Sequence, residues 1–178
     1  MKKNNSVHFL AQSAVIAAMY AVLTYVAAMM NLAYGSVQFR FSEALTILPV
    51  FTPAAIPGLT IGCFLANLTS PLGPVDWIFG SLATLLATLL TRALKDITFK
   101  GIPLLSFFAP VLINAIIIGL EIACLSDVGT FMPSLMSLTV FLPVALSVGI
   151  GEFVICYGLG VPLFLAIKKS KLEKFLNS

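Results

Sequence analysis

Phe41-Ser-Glu-Ala-Leu-Thr-Ile-Leu-Pro49-Val-Phe-Thr-Pro53-Ala-Ala-Ile-Pro57-Gly-Leu-Thr-Ile-Gly-Cys-Phe-Leu-Ala-Asn67 is the stretch on which the fold turns. Read as one long helix kinked at Pro49 and Pro53, it crosses a bilayer once and the chain crosses five times. Read as two short helices on either side of a turn marked by Pro53 and Pro57, it crosses twice and the chain crosses six times. Proline removes a backbone donor and restrains the residue before it, so either reading is sterically sound. Charge decides between them. Basic residues mark the cytoplasmic side of a membrane protein. The ten here are Lys2, Lys3, Arg40, Arg92, Lys95, Lys100, Lys168, Lys169, Lys171 and Lys174. With six spans, all but Arg40 face the cytoplasm. With five, Arg92, Lys95, Lys100 and the four C-terminal lysines face outward. Six is the consistent reading.

The composition supports a lipid-facing chain. Of the 178 residues, 60% are apolar and 10% charged, and the mean hydropathy is +1.07. Soluble domains carry roughly a quarter charged residues, so these few charges could not cover a water-facing surface of this size. The expected architecture is an all-α integral membrane protein, one domain over 1–178, with helices at about 8–32, 42–52, 55–69, 76–94, 103–125 and 138–167 and both termini cytoplasmic. A bilayer core takes about 20 apolar residues as helix. The apolar run after Lys2 and Lys3 continues to about Asn31, too far for a signal peptide, and reads as a retained helix. Ser70-Pro-Leu-Gly-Pro74 is a loop. The basic tail Lys168-Lys-Ser-Lys171 reads as an anchor near anionic headgroups.

The acids run against the basic pattern. Asp96 and Glu173 are expected on the cytoplasmic side, while Glu43, Asp76, Glu121, Asp127 and Glu152 fall on the outer side. Asp127 reads as a solvated loop residue. The other four lie within or at the ends of apolar helices, where a charge costs at least about 2.5–3.5 kcal/mol and so turns toward the bundle interior. Together with Arg40 they suit a cationic or donor-rich ligand. Gln38 and Arg40 alternate with Phe39 and Phe41, so the two polar groups share one side of an extended stretch. At Glu43 two roles stand side by side: ligand contact, or a helix start at which Ser42 caps and Glu43 complements the positive end, with Arg40 as a partner. Asn114 and Glu121, seven apart, share a helix face. Glu152 follows Gly149-Ile-Gly151, small residues that admit close helix approach. Asn67 reads either as a bridge between helices or as a site residue. Asp76 reads as a helix cap or a site residue, beside an interfacial Trp77.

Ala11, Ala14, Ala18 and Ala21 form one stripe along the first helix, extended by Ala17. Small residues let a second backbone approach closely, within the bundle or on a separate protein. Gly58-Leu-Thr-Ile-Gly62 is a second small-residue pair, read as internal. Cys63, Cys124 and Cys156 are scattered, and with His8 alone they offer no metal site. No G-x-x-x-x-G-K-[ST] loop, H-E-x-x-H or G-x-S-x-G is present, so no catalytic set or ATPase is expected in this chain. Nothing points to nucleic acid as a partner.

The Ala14–Ala18 spacing, an outward polar pocket and the missing ATP motif resemble the substrate-binding S-components of energy-coupling-factor (ECF) vitamin transporters. More narrowly, Val37-Gln-Phe-Arg-Phe-Ser-Glu-Ala-Leu-Thr-Ile-Leu-Pro49, with Ala66-Asn-Leu68 and Ser70-Pro-Leu-Gly73, is similar to the queuosine-precursor transporter family. The resemblance implies a membrane coupling subunit and two ATPases as partners, with ATP used by those ATPases and no cofactor in this chain. It makes Ala14, Ala18, Ala17 and Ala21 the docking surface. It implies a 7-deazaguanine precursor, the aminomethyl form, as ligand. That molecule presents an ammonium and the donors of a guanine edge, which carboxylates accept, and a flat ring on which Tyr34, Phe39, Phe41 or Trp77 can stack. The alternative is a self-sufficient transporter coupled to protons or cations, with Glu121 and Glu152 as the ion sites.

Overall fold

The computed structural model describes residues 2–34, 38–125, 131–135, 137–170 and 172–176. Among them the chain is helical and has no strand. Helix α1 (Lys2–Met29) is followed by a 3-10 helix (Phe41–Val50), α2 (Ala55–Asn67), α3 (Pro74–Ala93) and α4 (Leu104–Ala123). Then come α5 (Leu138–Ile155), α6 (Val161–Lys169) and a short α7 (Leu172–Leu176). Four segments are long and apolar enough to cross a membrane: Ser6–Met29, Pro74–Ala93, Leu104–Ala123 and Leu138–Lys169.

The stretch around Pro49 and Pro53 is two helices. Phe51 to Ala54 forms the break between them, and the Thr52 hydroxyl accepts the Ala54 amide. The first helix is a 3-10 helix rather than an α-helix, and Ser42 through Pro49 are buried along its whole length. A 3-10 helix rises about 2.0 Å per residue against 1.5 Å for an α-helix. Ten residues therefore cover roughly 20 Å, as far as the 13 residues of α2. The other helices surround it: α1 to α5 pack each against the next, and the 3-10 helix touches every one of α1 to α6.

Direction reverses at each connection from α1 to α5, while α6 continues the line of α5. Asn67, at the end of α2, meets Asp76 at the start of α3. At the far end of α3, Arg92 donates to the Pro49 carbonyl (2.8 Å), where the 3-10 helix ends. Lys168 donates to the Gly101 carbonyl (2.9 Å) in the α3–α4 connection. Arg40 thus sits at one end of the bundle, and Arg92 and Lys168 at the other.

Two joints hold the apolar helices together by different means. Between α1 and α2, a Cβ on Gly58 would fall 2.8 Å from the Ser13 carbonyl, and one on Gly62 would fall 2.7 Å from that of Ala17. Both glycines let the backbones touch, so this pair is internal. Between α3 and α4, Pro110 has no N–H for the Ser106 carbonyl one turn earlier. The Thr91 hydroxyl donates to that carbonyl (3.1 Å), and the Ser106 hydroxyl returns a bond to the Thr91 carbonyl (3.0 Å). A freed backbone group in lipid has no water to turn to, so the threonine is a structural requirement.

The last long helix has one wide turn. Cys156–Gly160 is π-helical, joining α5 to α6. Pro162, just beyond it, cannot donate to the Gly158 carbonyl, a common origin of such interruptions. Below this turn Phe164 packs against Phe51 and Phe107, with ring centroids 5.2 and 6.0 Å away. That trio, with Leu45, Leu48 and Leu59, forms the main apolar core.

Candidate functional site

At the Arg40 end, the eight polar residues singled out from the sequence are all buried: Gln38, Arg40, Glu43, Asn67, Asp76, Asn114, Glu121 and Glu152. They come from the stretch before the 3-10 helix, that helix itself, and α2 to α5.

One group centres on Asp76. Its carboxylate accepts from the Asn67 amide (3.1 Å), and the same amide nitrogen contacts the Asp76 backbone carbonyl (3.1 Å). The second oxygen faces Arg40 Nη2 at 3.6 Å, an ion pair too long for a hydrogen bond. Arg40 is fixed on its other side, where Nε donates to the Ala33 carbonyl (3.1 Å) and the guanidinium lies 5.3 Å from the centre of the Tyr34 ring. The Tyr34 hydroxyl in turn donates to the Ala66 carbonyl. Burial pushes that phenol above its ordinary value, so it remains a donor. Gly80 makes room for the arrangement, since a Cβ there would fall 2.2 Å from the Asn67 amide nitrogen.

A second group centres on Glu43. One of its oxygens accepts from the fully buried Tyr20 hydroxyl of α1. One helical turn along, Thr24 donates to Ser42 (2.7 Å), so α1 grips the 3-10 helix at two points. Across the cluster, Glu152 lies 3.7 Å from the Cys156 thiol, which also approaches the Glu43 carbonyl (3.8 Å) and Thr46 (3.9 Å). Asn114 of α4 lies beside Glu152. Gly151 brings α5 against the Gln38 backbone, because a Cβ there would be 2.1 Å from the Gln38 carbonyl.

Glu121 stands apart from both groups. It is fully buried on α4, within electrostatic reach of Asp76 and Arg40, and neither of its oxygens has a hydrogen-bond partner. Among the described residues, the other buried atoms of the cluster without a hydrogen bond are Arg40 Nη2, Glu43 Oε2, Asn67 Oδ1 and Asp76 Oδ2. That inventory is five acceptors against one donor. Buried polar groups are ordinarily satisfied, and each orphan costs about 1–3 kcal/mol. What the set can do chemically is accept hydrogen bonds and positive charge.

Some sequence expectations take a different form. Ser42 does not cap its helix: Arg40 occupies the cap position without a side-chain bond, and the Ser42 hydroxyl is engaged by Thr24. Asp76 is not a cap either, because the α3 cap is Gly73 and the Asp76 side chain turns to Asn67 and Arg40. Arg40 pairs with Asp76 rather than with Glu43. Trp77 meets Phe64 edge-on (6.5 Å), on the outward side of α2, so its ring belongs to the lateral surface. Asp127 lies outside the described residues. The alanine stripe divides: Ala17 and Ala21 are buried, whereas Ala11, Ala14 and Ala18 are exposed. Tyr20, Thr24, Thr46 and Cys156 join the cluster without having been singled out. Their one signal is that polar groups recur inside apolar runs.

Apolar helices around an interior, acceptor-rich polar cluster make the chain a multi-pass membrane protein of the kind that handles small polar solutes. It belongs to the QueT transporter family, whose profile matches residues 10–169. Over 85 residues it is 38% identical to the queuosine precursor transporter QueT of Lactococcus lactis subsp. cremoris. That match covers 48% of this chain and 49% of the relative, about half of each. No solved structure matches the chain.

Proposed function

We propose that this protein is the substrate-binding subunit of an ECF-type importer, and that it captures a 7-deazaguanine precursor of queuosine outside the cell. The observation that carries the reading is the set of five buried acceptors without a hydrogen bond, beside one arginine. A ligand with an ammonium and the N–H edge of a guanine supplies the donors that set lacks, and charge-assisted bonds of this type are the strong ones. The name borne by the Lactococcus relative agrees with that ligand.

In this reading the chain crosses the cell membrane six times with both termini in the cytoplasm. The 3-10 helix and α2 form the second and third passes. The cluster then opens toward the outside, and Arg92 and Lys168 lie at the cytoplasmic end. The chain has no phosphate-binding loop, so a membrane coupling subunit and two ATPases supply the energy and consume the ATP. Exposed Ala14 and Ala18 offer the docking face. Beside them Ala11, Val15 and Met19 line an apolar groove of about 330 Å³ against Leu163 and Leu172.

Binding of the aminomethyl and cyano deazaguanines to the purified protein in detergent or nanodiscs tests the ligand. Saturable binding at micromolar concentration is expected, and its absence overturns the assignment. Gradient-driven uptake into liposomes by the chain alone would replace the ECF reading with a self-sufficient transporter.

A further inference from the structure

The buried acids are not equivalent, and their differences assign them separate tasks. Asp76 is held by protein on both sides: Asn67 donates to one oxygen, and the other, without a hydrogen bond, faces the Arg40 guanidinium as an ion pair at 3.6 Å. Glu152 has Cys156 and Asn114 beside it. Glu43 has one oxygen held by Tyr20 and one free. Among the described acids Glu121 alone has both oxygens without a hydrogen-bond partner, at zero exposure, in the last turn of α4. Arg40, the cation of the cluster, is held toward Asp76 by Ala33 and Tyr34 and makes no hydrogen bond to Glu121.

We infer that Glu121 receives the ligand's positively charged group, while Asp76 is a structural carboxylate that fixes Arg40 and Asn67 for the neutral, hydrogen-bonding edge. This rests on the binding-subunit reading above and refines it. A buried carboxylate with no partner lowers the stability of the empty protein, and such a cost is sustained where a ligand offsets it. A buried carboxylate held by an amide and an ion pair is costly to alter, because its loss strands a buried charge. The two acids therefore differ in a way that shows with and without ligand.

The test compares affinities for two probes that differ at one substituent, the aminomethyl and the cyano 7-deazaguanine. The proteins are wild type, Glu121→Gln, Glu152→Gln and Asp76→Asn, each also melted without ligand. The wild type should prefer the aminomethyl probe. Glu121→Gln should bind that probe about tenfold or more weakly, with little change for the cyano probe, so the preference collapses. Glu152→Gln should keep the preference. Without ligand, Glu121→Gln should melt no lower than wild type and Asp76→Asn clearly lower.

Four results overturn the inference while leaving the site intact. They are equal wild-type affinity for both probes, an unchanged preference in Glu121→Gln, its loss in Glu152→Gln instead, or a lower melting temperature for unliganded Glu121→Gln. Failure of both probes to bind the wild type is a distinct outcome, and it removes the functional reading together with this one.

Discussion

Tyr20 donates its hydroxyl to Glu43, a residue 23 positions further along the chain, and this bond ties α1 to the buried 3-10 helix. Thr24 repeats the link one turn later, through Ser42. The polar cluster is thereby attached to the same helix whose opposite side exposes Ala14 and Ala18.

Replacing Tyr20 with Phe removes the one donor that the described residues give the Glu43 carboxylate while keeping the ring that fills the core. Loss of a hydrogen bond to a charged group costs about 1.5–3 kcal/mol. Ligand affinity should fall by about tenfold or more, measured by isothermal titration, and the unliganded protein should melt lower. Wild-type affinity in Tyr20→Phe would show that Glu43 needs no help to hold its place.

Two glycines of the last long helix, Gly151 before the wide turn and Gly158 within it, should behave oppositely. An Ala Cβ at Gly151 meets the Gln38 carbonyl at 2.1 Å, a backbone atom that cannot swing aside, whereas one at Gly158 meets nothing within 4 Å. Gly151→Ala should lower thermal stability by about 1–3 kcal/mol and disturb binding through the Gln38–Arg40 stretch. Gly158→Ala should be neutral or slightly stabilising in a melting assay.

The divided alanine stripe gives a clean separation of folding from docking. Leucine at Ala17 or Ala21 must force α1 away from the bundle, so yield and melting temperature should drop. Leucine at exposed Ala14 and Ala18 should leave both, and ligand binding, unchanged. On the ECF reading that double variant no longer copurifies with a coupling subunit. Retained copurification would move the docking face elsewhere.

Thr91→Val should destabilise by roughly 1–2 kcal/mol, although valine matches threonine in shape, because the Ser106 carbonyl freed by Pro110 is left without a donor. Restoring the α-helical donor with Pro110→Ala in the same chain should recover the loss. A double-variant cycle by chemical denaturation measures that coupling.

The burial of Glu43, Asp76, Glu121 and Glu152 was legible from their places in or beside apolar runs. A carboxylate such as Glu121, inside Ile116-Ile-Ile-Gly-Leu-Glu-Ile-Ala123, has no place in lipid and so must turn inward. The break at Phe51–Ala54 was only half legible from its prolines, which allowed a kink or a turn; the distribution of basic residues favoured the turn. Tyr20 was not, since a tyrosine in an apolar helix reads as bulk and its partner lies far along the chain. The choice of a 3-10 helix over an α-helix was also hidden, because Ser42 to Pro49 are all buried and the winding answers to six surrounding helices rather than to the segment's own side chains. Ser42 misled for a related reason. Its cap-like position was overridden by a tertiary partner, Thr24.

The π-helical turn at Cys156–Gly160 resets the phase of the helix that contains it. Counting on from Glu152 at 3.6 residues per turn, a regular helix would bring Leu163 and Ala166 to the inner face. The extra residue delays the count by one, and the buried positions are Phe164 and Ile167. Deleting a single residue here would swing everything downstream by about 100°. The aromatic trio would lose Phe164 and Lys168 would leave Gly101, while Glu152 above the deletion kept its position. One helix thus serves two unrelated neighbourhoods, a polar one above and an oily one below, because its periodicity is broken once between them.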